Sequence, residues 1–436
     1  MFIPKGFAEY LQEWEAKINA FIELNTDRGD NADIPCAVDE NIAVKGLSFT
    51  CCSPLLANVR SPYSATAVQK LEAAGSAVIG KTCIDEFGLG VRGYSVYKQA
   101  MNPWDSRRTP GSGAAAAVAA GIVPCALGND AGGSLRQAAM FCGVTGLKPT
   151  HGAVSRYGLA AGACGLETIG VIADTVSRCR AAFAIIRGRD PLDQASKDPP
   201  DALPVYPPGV QRIGVIAEIE DCVPEIRRGL ELAKERLAAL GHTLVDITVP
   251  GLKYCLPAWY TIAAAQASSS LARYDSIRFG ARPENAGNPD ELYDKSRAAG
   301  LGMEAQLHIL LGTHVLRAEF QERYYLTAHR IRAGIQASLE AQFEQCDAIL
   351  MPVYPNCAFE IDSPVHRTAG VYACCANLTG LPALSFPVSV EGGLPVGVQL
   401  MGNAHSEGIL LDIAEGYHQQ HPPLRPRGFE PFWDQE

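Results

Sequence analysis

The spacing of hydrophobic and polar residues alternates between helical and strand-like patterns. Apolar residues recur every three or four positions over residues 6–23, which predicts an amphipathic helix that includes Phe21. Residues 34–38 then form a β-type run, residues 67–75 a helical pattern and residues 77–80 a second strand. Strands that alternate with helices predict crossover connections and an α/β fold with a parallel or mixed sheet.

The same alternation continues to the end of the chain. Residues 113–121 are Ala, Val and Gly only, which predicts a closely packed buried helix, and residues 125–128 predict a strand entering a glycine-rich turn. Helical patterns cover 222–240 and 301–345, and strand patterns cover 211–217, 348–352 and 383–388. We predict one domain over 1–436. It comprises a core over 30–190, a helical layer over 251–345, and C-terminal strands with a helix over 346–415.

Composition and charge narrow the function classes. The chain is 47% hydrophobic with a net charge of -10, and it contains no cluster of Lys and Arg. Direct binding of nucleic acid is therefore disfavoured, although a partner protein could hold one. The 14 cysteines form no C-x-x-C pair, so no metal or other cofactor is predicted. Buried thiols and the absence of a signal peptide or an 18-residue apolar span predict a cytoplasmic protein without membrane insertion.

The candidate chemistry lies in residues 127–137, where a strand pattern runs into two glycines and Ser134. A serine on such a turn exposes its hydroxyl, and glycines let a substrate approach the backbone. The N–H groups of Ala131, Gly132 and Gly133 could form an oxyanion hole. By itself this motif is weak, because Gly and Ser are also common in purely structural turns.

Longer stretches of sequence strengthen that interpretation. Those at 115–121, 132–137, 141–150, 154–159 and 377–382 resemble the amidase-signature family, and the resemblance extends over most of the chain. It implies an amidase-signature fold, which is a large mixed central β-sheet surrounded by α-helices. It also implies a catalytic triad of two serines and a lysine, and it aligns Ser134 with the nucleophile. Within the family, the similarity is greatest to the A subunits of the tRNA-dependent amidotransferases.

Two triad positions depart from the family pattern. Asp39 occupies the position where the family has its catalytic lysine, and Ser112 is the sole serine in a shortened loop at 109–114. The resemblance assigns Asp39 and Ser112 to a modified proton relay. An aspartate with its ordinary pKa of about 3.9 is a weak base at neutral pH unless burial raises that pKa. The alternatives are a solvated or ion-paired Asp39 and a Ser112 that caps the following helix.

The resemblance also indicates a substrate pocket. Its positions fall on Trp259 or Tyr260, on His308 and on Gly370, and Arg136 lies beside the nucleophile. These residues lack the charge pair that holds a free amino acid in the amidotransferases, which argues against free glutamine. His308 could instead be an ordinary core residue, and Arg136 a structural partner of a carboxylate.

Three functions follow from these observations. The first is a serine amidase that acts on a small-molecule amide through Ser134, with a substrate whose cation could pair with Asp39. The second is a catalytically degenerate protein that serves in binding or assembly. The third is the A subunit of a glutamine-dependent tRNA amidotransferase. The partners predicted are the amide substrate and either a second copy of the chain or a small amidotransferase-like protein.

Overall fold

A mixed β-sheet forms the centre of the computed structural model. The structure describes residues 7–25, 34–160, 162–198, 209–217, 219, 221–363, 370–423 and 425–429. The strands of this described part are β1 Phe21–Leu24, β2 Ile34–Asp39, β3 Ser76–Thr82, β4 Cys125–Asp130, β5 Thr145–Lys148, β6 Thr168–Ala173, β7 Arg212–Ile216, β8 Thr243–Ile247, β9 Ala348–Pro352, β10 Ala383–Glu391 and β11 Leu394–Gly402.

The strand order confirms the predicted mixed sheet. It runs β1-β3-β2-β4-β6-β5-β10-β11-β9-β7-β8 through the described residues. Strand β2 pairs in parallel with β3 and β4, and β7 pairs in parallel with β8 and β9. The remaining pairs are antiparallel, including β4 with β6 and β10 with β11. Strands from both ends of the chain therefore share one sheet.

Helices surround the sheet. They are α1 Phe7–Ile18, α2 Thr66–Ala73, α3 Gly113–Ala119, α4 Ser134–Cys142, α5 Val176–Ile186, α6 Pro224–Ala239, α7 Cys255–Leu271, α8 Pro289–Gly300, α9 Met303–Leu316, α10 Ala318–Gln321, α11 Thr327–Gln342, α12 Val371–Thr379 and α13 Glu407–Gln420. Along β2, Cys36 and Val38 lie in one apolar cluster and Ala37 in another. Because successive strand residues point to opposite faces, both faces of this strand are covered.

The first helix is shorter than its hydrophobic spacing predicts. Helix α1 ends at Ile18, and Asn19 takes a left-handed conformation with φ 50°. Asparagine tolerates this conformation better than most residues do. Phe21 then begins β1 and pairs with Thr82 of β3, so its placement in the helix is wrong. Residue 6 of the predicted helix and residues 30–33 of the predicted core lie outside the described residues.

The segment at 301–345 is helical but interrupted. Arg317 is extended with ψ 142°, which separates α9 from α10. A π-helical turn over Glu322–Leu326 then connects α10 to α11.

The described residues also bear on disulfides, metal-binding groups and membrane-spanning helices. All 14 cysteines are free thiols, and 12 of them are buried. In the described ranges, no group of three His, Cys, Asp or Glu side chains could hold a metal ion. Among the same residues, no helix combines the length and apolar character needed to cross a membrane.

The parallel pairing of β2 with β4 builds the edge of the sheet that carries the candidate site. Val38 is opposite Leu127, so the carboxyl ends of the two strands lie side by side. Asp39 ends β2, and Asp130 ends β4 immediately before the glycine loop. Loops that follow parallel strands are common binding sites in α/β proteins.

Candidate active site

Ser134 is the first residue of α4, directly after the two glycines. Gly133 caps the helix in a left-handed conformation with φ 103°, which L side chains rarely adopt. A Cβ atom on Gly133 would lie 2.2 Å from the Cβ of Ala373. The Ser134 side chain is half-buried, and its Oγ donates to the Asn129 carbonyl at 3.2 Å. The turn therefore depends on glycine and presents the hydroxyl at the helix start.

Trp259 supports this loop from helix α7. Its indole Nε1 donates to the Ala131 carbonyl at 2.8 Å. A Cβ atom on Gly132 would lie 2.4 Å from the ring of Trp259, so glycine is required for this close approach. Trp259 thus both lines the cavity described below and holds the loop in place.

The oxyanion donors differ from the three predicted. The Gly133 N–H donates to Asp130 Oδ1 at 2.8 Å, so it is engaged within the protein. In this structure the Gly133 N–H, which the sequence analysis assigned to an oxyanion hole, is bonded to Asp130 instead. Ala131 and Gly132 line the cavity, and their N–H groups donate to no other described residue. Of the three predicted oxyanion donors, Ala131 and Gly132 are therefore the two that are not bonded within the described part of the chain.

Arg136 is a buried structural residue. Its side chain is fully buried and donates to Asp130, Gln399, Asn377 and the Ala373 carbonyl. Burial alone would raise the pKa of Asp130, but Arg136 and other partners hold it below its usual value. Arg136 does not line the cavity, and its place in the structure matches the alternative that it is the structural partner of a carboxylate.

Asp39 is buried at the end of β2. Its carboxylate accepts from Thr82 Oγ1 at 2.9 Å and from the Asn129 N–H at 3.2 Å. Burial raises the pKa of Asp39 to about 7, although these hydrogen bonds and Lys81 act in the opposite direction. A carboxylate with such a pKa can both take up and return a proton near neutral pH.

Ser112 is the N-cap of α3. Its Oγ accepts from the Ala115 N–H at 3.2 Å, which satisfies one of the free donors at the helix start. No hydrogen bond joins Ser112 to Ser134 or to Asp39 in the described part of the chain. The predicted bridging contact is therefore not formed. Ser112, Ser134 and Asp39 nevertheless line one small cavity, which is distinct from the larger cavity described next.

We expect Ser112→Ala to lower the free energy of unfolding by about 1 kcal/mol, because the cap is lost. Ser112→Asn keeps a capping oxygen and should retain most of that stability. Urea unfolding of the three proteins measures the difference. If Ser112→Asn is as stable as the wild type but its Ser134 reacts more slowly with a fluorophosphonate probe, Ser112 would instead have a bridging role.

A cavity of about 560 Å³ opens above Ser134. Trp259, Tyr260 and His308 all line it, together with Gly370. The rings of Tyr260 and His308 stack with centroids 5.5 Å apart, and His308 Nδ1 lies 2.9 Å from the Glu304 carbonyl. The structure thus brings three predicted substrate residues onto one wall. The volume of the cavity is in the range of small-molecule sites.

The charged lining of the cavity is mainly acidic. The lining includes the acidic residues Asp85, Glu167 and Glu304, together with Arg92. The Arg92 guanidinium donates to the backbone carbonyls of residues 361 and 363, and the Asp85 carboxylate accepts the backbone N–H groups of residues 92 and 93. Sequence reasoning did not assign these residues to the site, because their approach to the cavity depends on the packing of separate segments.

Fold and site together define the class of this protein. A large mixed sheet with a Gly-Gly-Ser loop between a central strand and a buried helix, open to a cavity, is the arrangement of amidase-signature proteins. The family model described as Amidase matches residues 7–411, and the chain belongs to this family.

Curated relatives and solved structures agree with that membership. The chain is 40% identical to the A subunit of the glutamyl-tRNA(Gln) amidotransferase of Thermosynechococcus vestitus, over 97% of this chain and 96% of the relative. The crystal structure of the A subunit of the Thermotoga maritima enzyme superposes with a TM-score of 0.83 at 34% identity, covering 96% of this chain and 91% of that one. A peptide amidase from Stenotrophomonas maltophilia has a TM-score of 0.82 at 26% identity, covering 98% and 95%.

Proposed function

We propose that this chain is the amide-cleaving component of an amidotransferase-type enzyme and that Ser134 is its nucleophile. One observation carries the proposal. Ser134, Ala131 and Gly132 all line one cavity of about 560 Å³, and the N–H groups of Ala131 and Gly132 donate to no other described residue. A nucleophile with adjacent oxyanion donors is the arrangement that acyl transfer requires.

The reaction would proceed in two steps. Ser134 Oγ attacks the amide carbonyl carbon while its proton moves toward the Asp39 carboxylate, and the carbonyl electron pair moves to oxygen. Ala131 and Gly132 donate to that oxyanion. When it collapses, the C–N bond breaks, the nitrogen takes the proton back, and an acyl ester remains on Ser134 until water or another acceptor removes it. The raised pKa of Asp39, about 7, supports both directions of proton transfer.

The cavity and the relatives favour different substrates. The relatives are named as A subunits of glutamyl-tRNA(Gln) amidotransferase, which favours glutamine as ammonia donor and a partner protein that holds the acyl acceptor. The cavity lining favours an amide with a neutral or cationic substituent, because three acidic residues and one arginine line it. We therefore propose an amidotransferase component whose amide substrate carries no free carboxylate, with glutamine as the second candidate.

Intact-mass spectrometry after treatment with a fluorophosphonate probe tests Ser134 directly. We expect one adduct on the wild-type protein and none on Ser134→Ala. Ammonia release from glutamine, glutamine amide and cationic amides then separates the two substrate candidates. The absence of an adduct, with a lysine-containing family member fully labelled in parallel, would favour a degenerate binding protein.

A further inference from the structure

A second, smaller cavity lies between Asp39 and Ser134. Its volume is about 20 Å³, and its polar lining is formed by Asp39, Asn41, Asp85, Ser112, Asn129 and Ser134. A cavity needs roughly 10–15 Å³ of such space to hold one water molecule. The small cavity is therefore the right size for one water and too small for a substrate group.

The two asparagines leave polar atoms without partners in this region. Asn41 is completely buried, and neither its Oδ1 nor its Nδ2 makes a hydrogen bond within the described residues. Asn129 Oδ1 is likewise buried and without a partner there. Both amide nitrogens lie close to Gly88, since a side-chain carbon at Gly88 would be 3.5 Å from each of them.

These atoms distinguish between possible occupants. Unpaired buried polar atoms are costly, and native proteins usually pair them with protein groups or ordered water. The Asn41 amide requires a partner that both accepts and donates hydrogen bonds. A water molecule does both, whereas a sodium or ammonium ion cannot accept from Nδ2.

Asp39 and Ser134 have no direct hydrogen bond. The Asp39 carboxylate accepts from Thr82 and from the Asn129 backbone, and Ser134 Oγ donates to the Asn129 carbonyl. Both side chains nevertheless line the small cavity. A group bound there would contact the nucleophile and the proton acceptor at once.

We propose that one water molecule binds between Asn41 and Asn129 and carries the proton from Ser134 to Asp39. This proposal rests on the proposed function and specifies its proton path. As Ser134 Oγ bonds to the carbonyl carbon, its proton passes to the water oxygen, and the water gives another proton to Asp39. When the C–N bond breaks, Asp39 returns a proton to the water, and the water gives a proton to the leaving nitrogen. Asn41 is a positioning residue that holds the water.

The variant Asn41→Leu tests this role, because leucine has a similar size and cannot hold the water. We expect fluorophosphonate labelling of Ser134 to slow roughly a hundredfold, which is the low end of a general base's contribution. Thr145→Val is the matched control. The Thr145 hydroxyl is also buried and without a partner in the described chain, and it lines neither cavity. Its labelling rate should equal that of the wild type.

Solvent isotope measurements give a readout that a purely structural role would not change. When the wild-type labelling rate is plotted against the fraction of D₂O in the solvent, we expect a curved line, because two protons move in the same step. A linear dependence in the wild type would contradict the relay even if Asn41→Leu failed to fold. A high-resolution crystal structure should show a water at hydrogen-bond distance from Asp39 and Asn41. A dry cavity or a bound ion would overturn the proposal.

The outcomes separate this inference from the proposed function. If the wild type is labelled, and Asn41→Leu is labelled at the same rate, only the relay is wrong. If the wild type is not labelled at all, the proposed function fails and the relay fails with it. The crystal structure still decides whether the water site exists.

Discussion

Replacing Arg136 with methionine is expected to lower the free energy of unfolding by about 3–5 kcal/mol, which is typical for breaking a buried ion pair. The Arg136 guanidinium is fully buried, lies 2.9 Å from Asp130 Oδ2, and also donates to Asn377 and Gln399. Its removal leaves the Asp130 carboxylate buried without its main positive partner. Urea unfolding at neutral pH measures the loss.

The same change should disturb the loop at residues 131–133, because Asp130 also accepts the Gly133 N–H. We therefore expect slower labelling of Ser134 in Arg136→Met even where the protein remains folded. Arg180→Met is the matched control, since Arg180 pairs with Asp412 and Glu415 on a partly exposed surface. Such pairs contribute up to about 1 kcal/mol. A similar cost for both variants would argue against the buried network as the main support of the loop.

Asp39→Asn should slow the labelling of Ser134 by a factor of about 100 to 1,000, because the amide cannot accept the proton. For the wild type, we expect the rate to rise with pH through about 7, where Asp39 loses its proton. Lys81 lowers this pKa and Glu40 raises it, so both belong to the titrating environment. A rate that does not depend on pH between about 5 and 9 would exclude Asp39 as the proton acceptor.

The pH dependence of the free energy of unfolding gives an independent test of the raised pKa of Asp39. Asp39 has a pKa of about 7 in the fold and an ordinary value of 3.8, so the fold favours its protonated form. The stability from that preference is complete below pH 3.8 and is lost as the pH rises through about 7. At about pH 8, Asp39→Asn should therefore be more stable than the wild type by about 1–3 kcal/mol, with no gain at about pH 4.

Urea unfolding at the two pH values tests this expectation. Asp246→Asn, on the exposed part of β8, is the control and should behave as the wild type does. If Asp39→Asn lost stability equally at both pH values, the hydrogen bonds from Thr82 and Asn129 would outweigh the buried charge.

Much of the fold was predictable from local sequence. The strand patterns at 34–38 and 348–352 correspond to β2 and β9, and the Ala-rich stretch corresponds to the fully buried α3. The turn at Gly132 and Gly133 was equally predictable. A left-handed backbone and a close approach of neighbouring side chains both require glycine there. Side-chain size, apolar spacing and glycine content are properties of short segments, so one sequence carries them.

Tertiary structure decided what depends on residues distant in the chain. Phe21 continues a helical pattern, yet pairing with β3 makes it part of a strand. Asp130 accepts the Gly133 N–H, and burial raises the pKa of Asp39. Pairing of β2 with β4 brings Asp39 close to the loop that precedes Ser134. Hydrogen-bond partners, burial and proton affinity come from packing between separate segments, and hydrophobic spacing within one segment does not encode them.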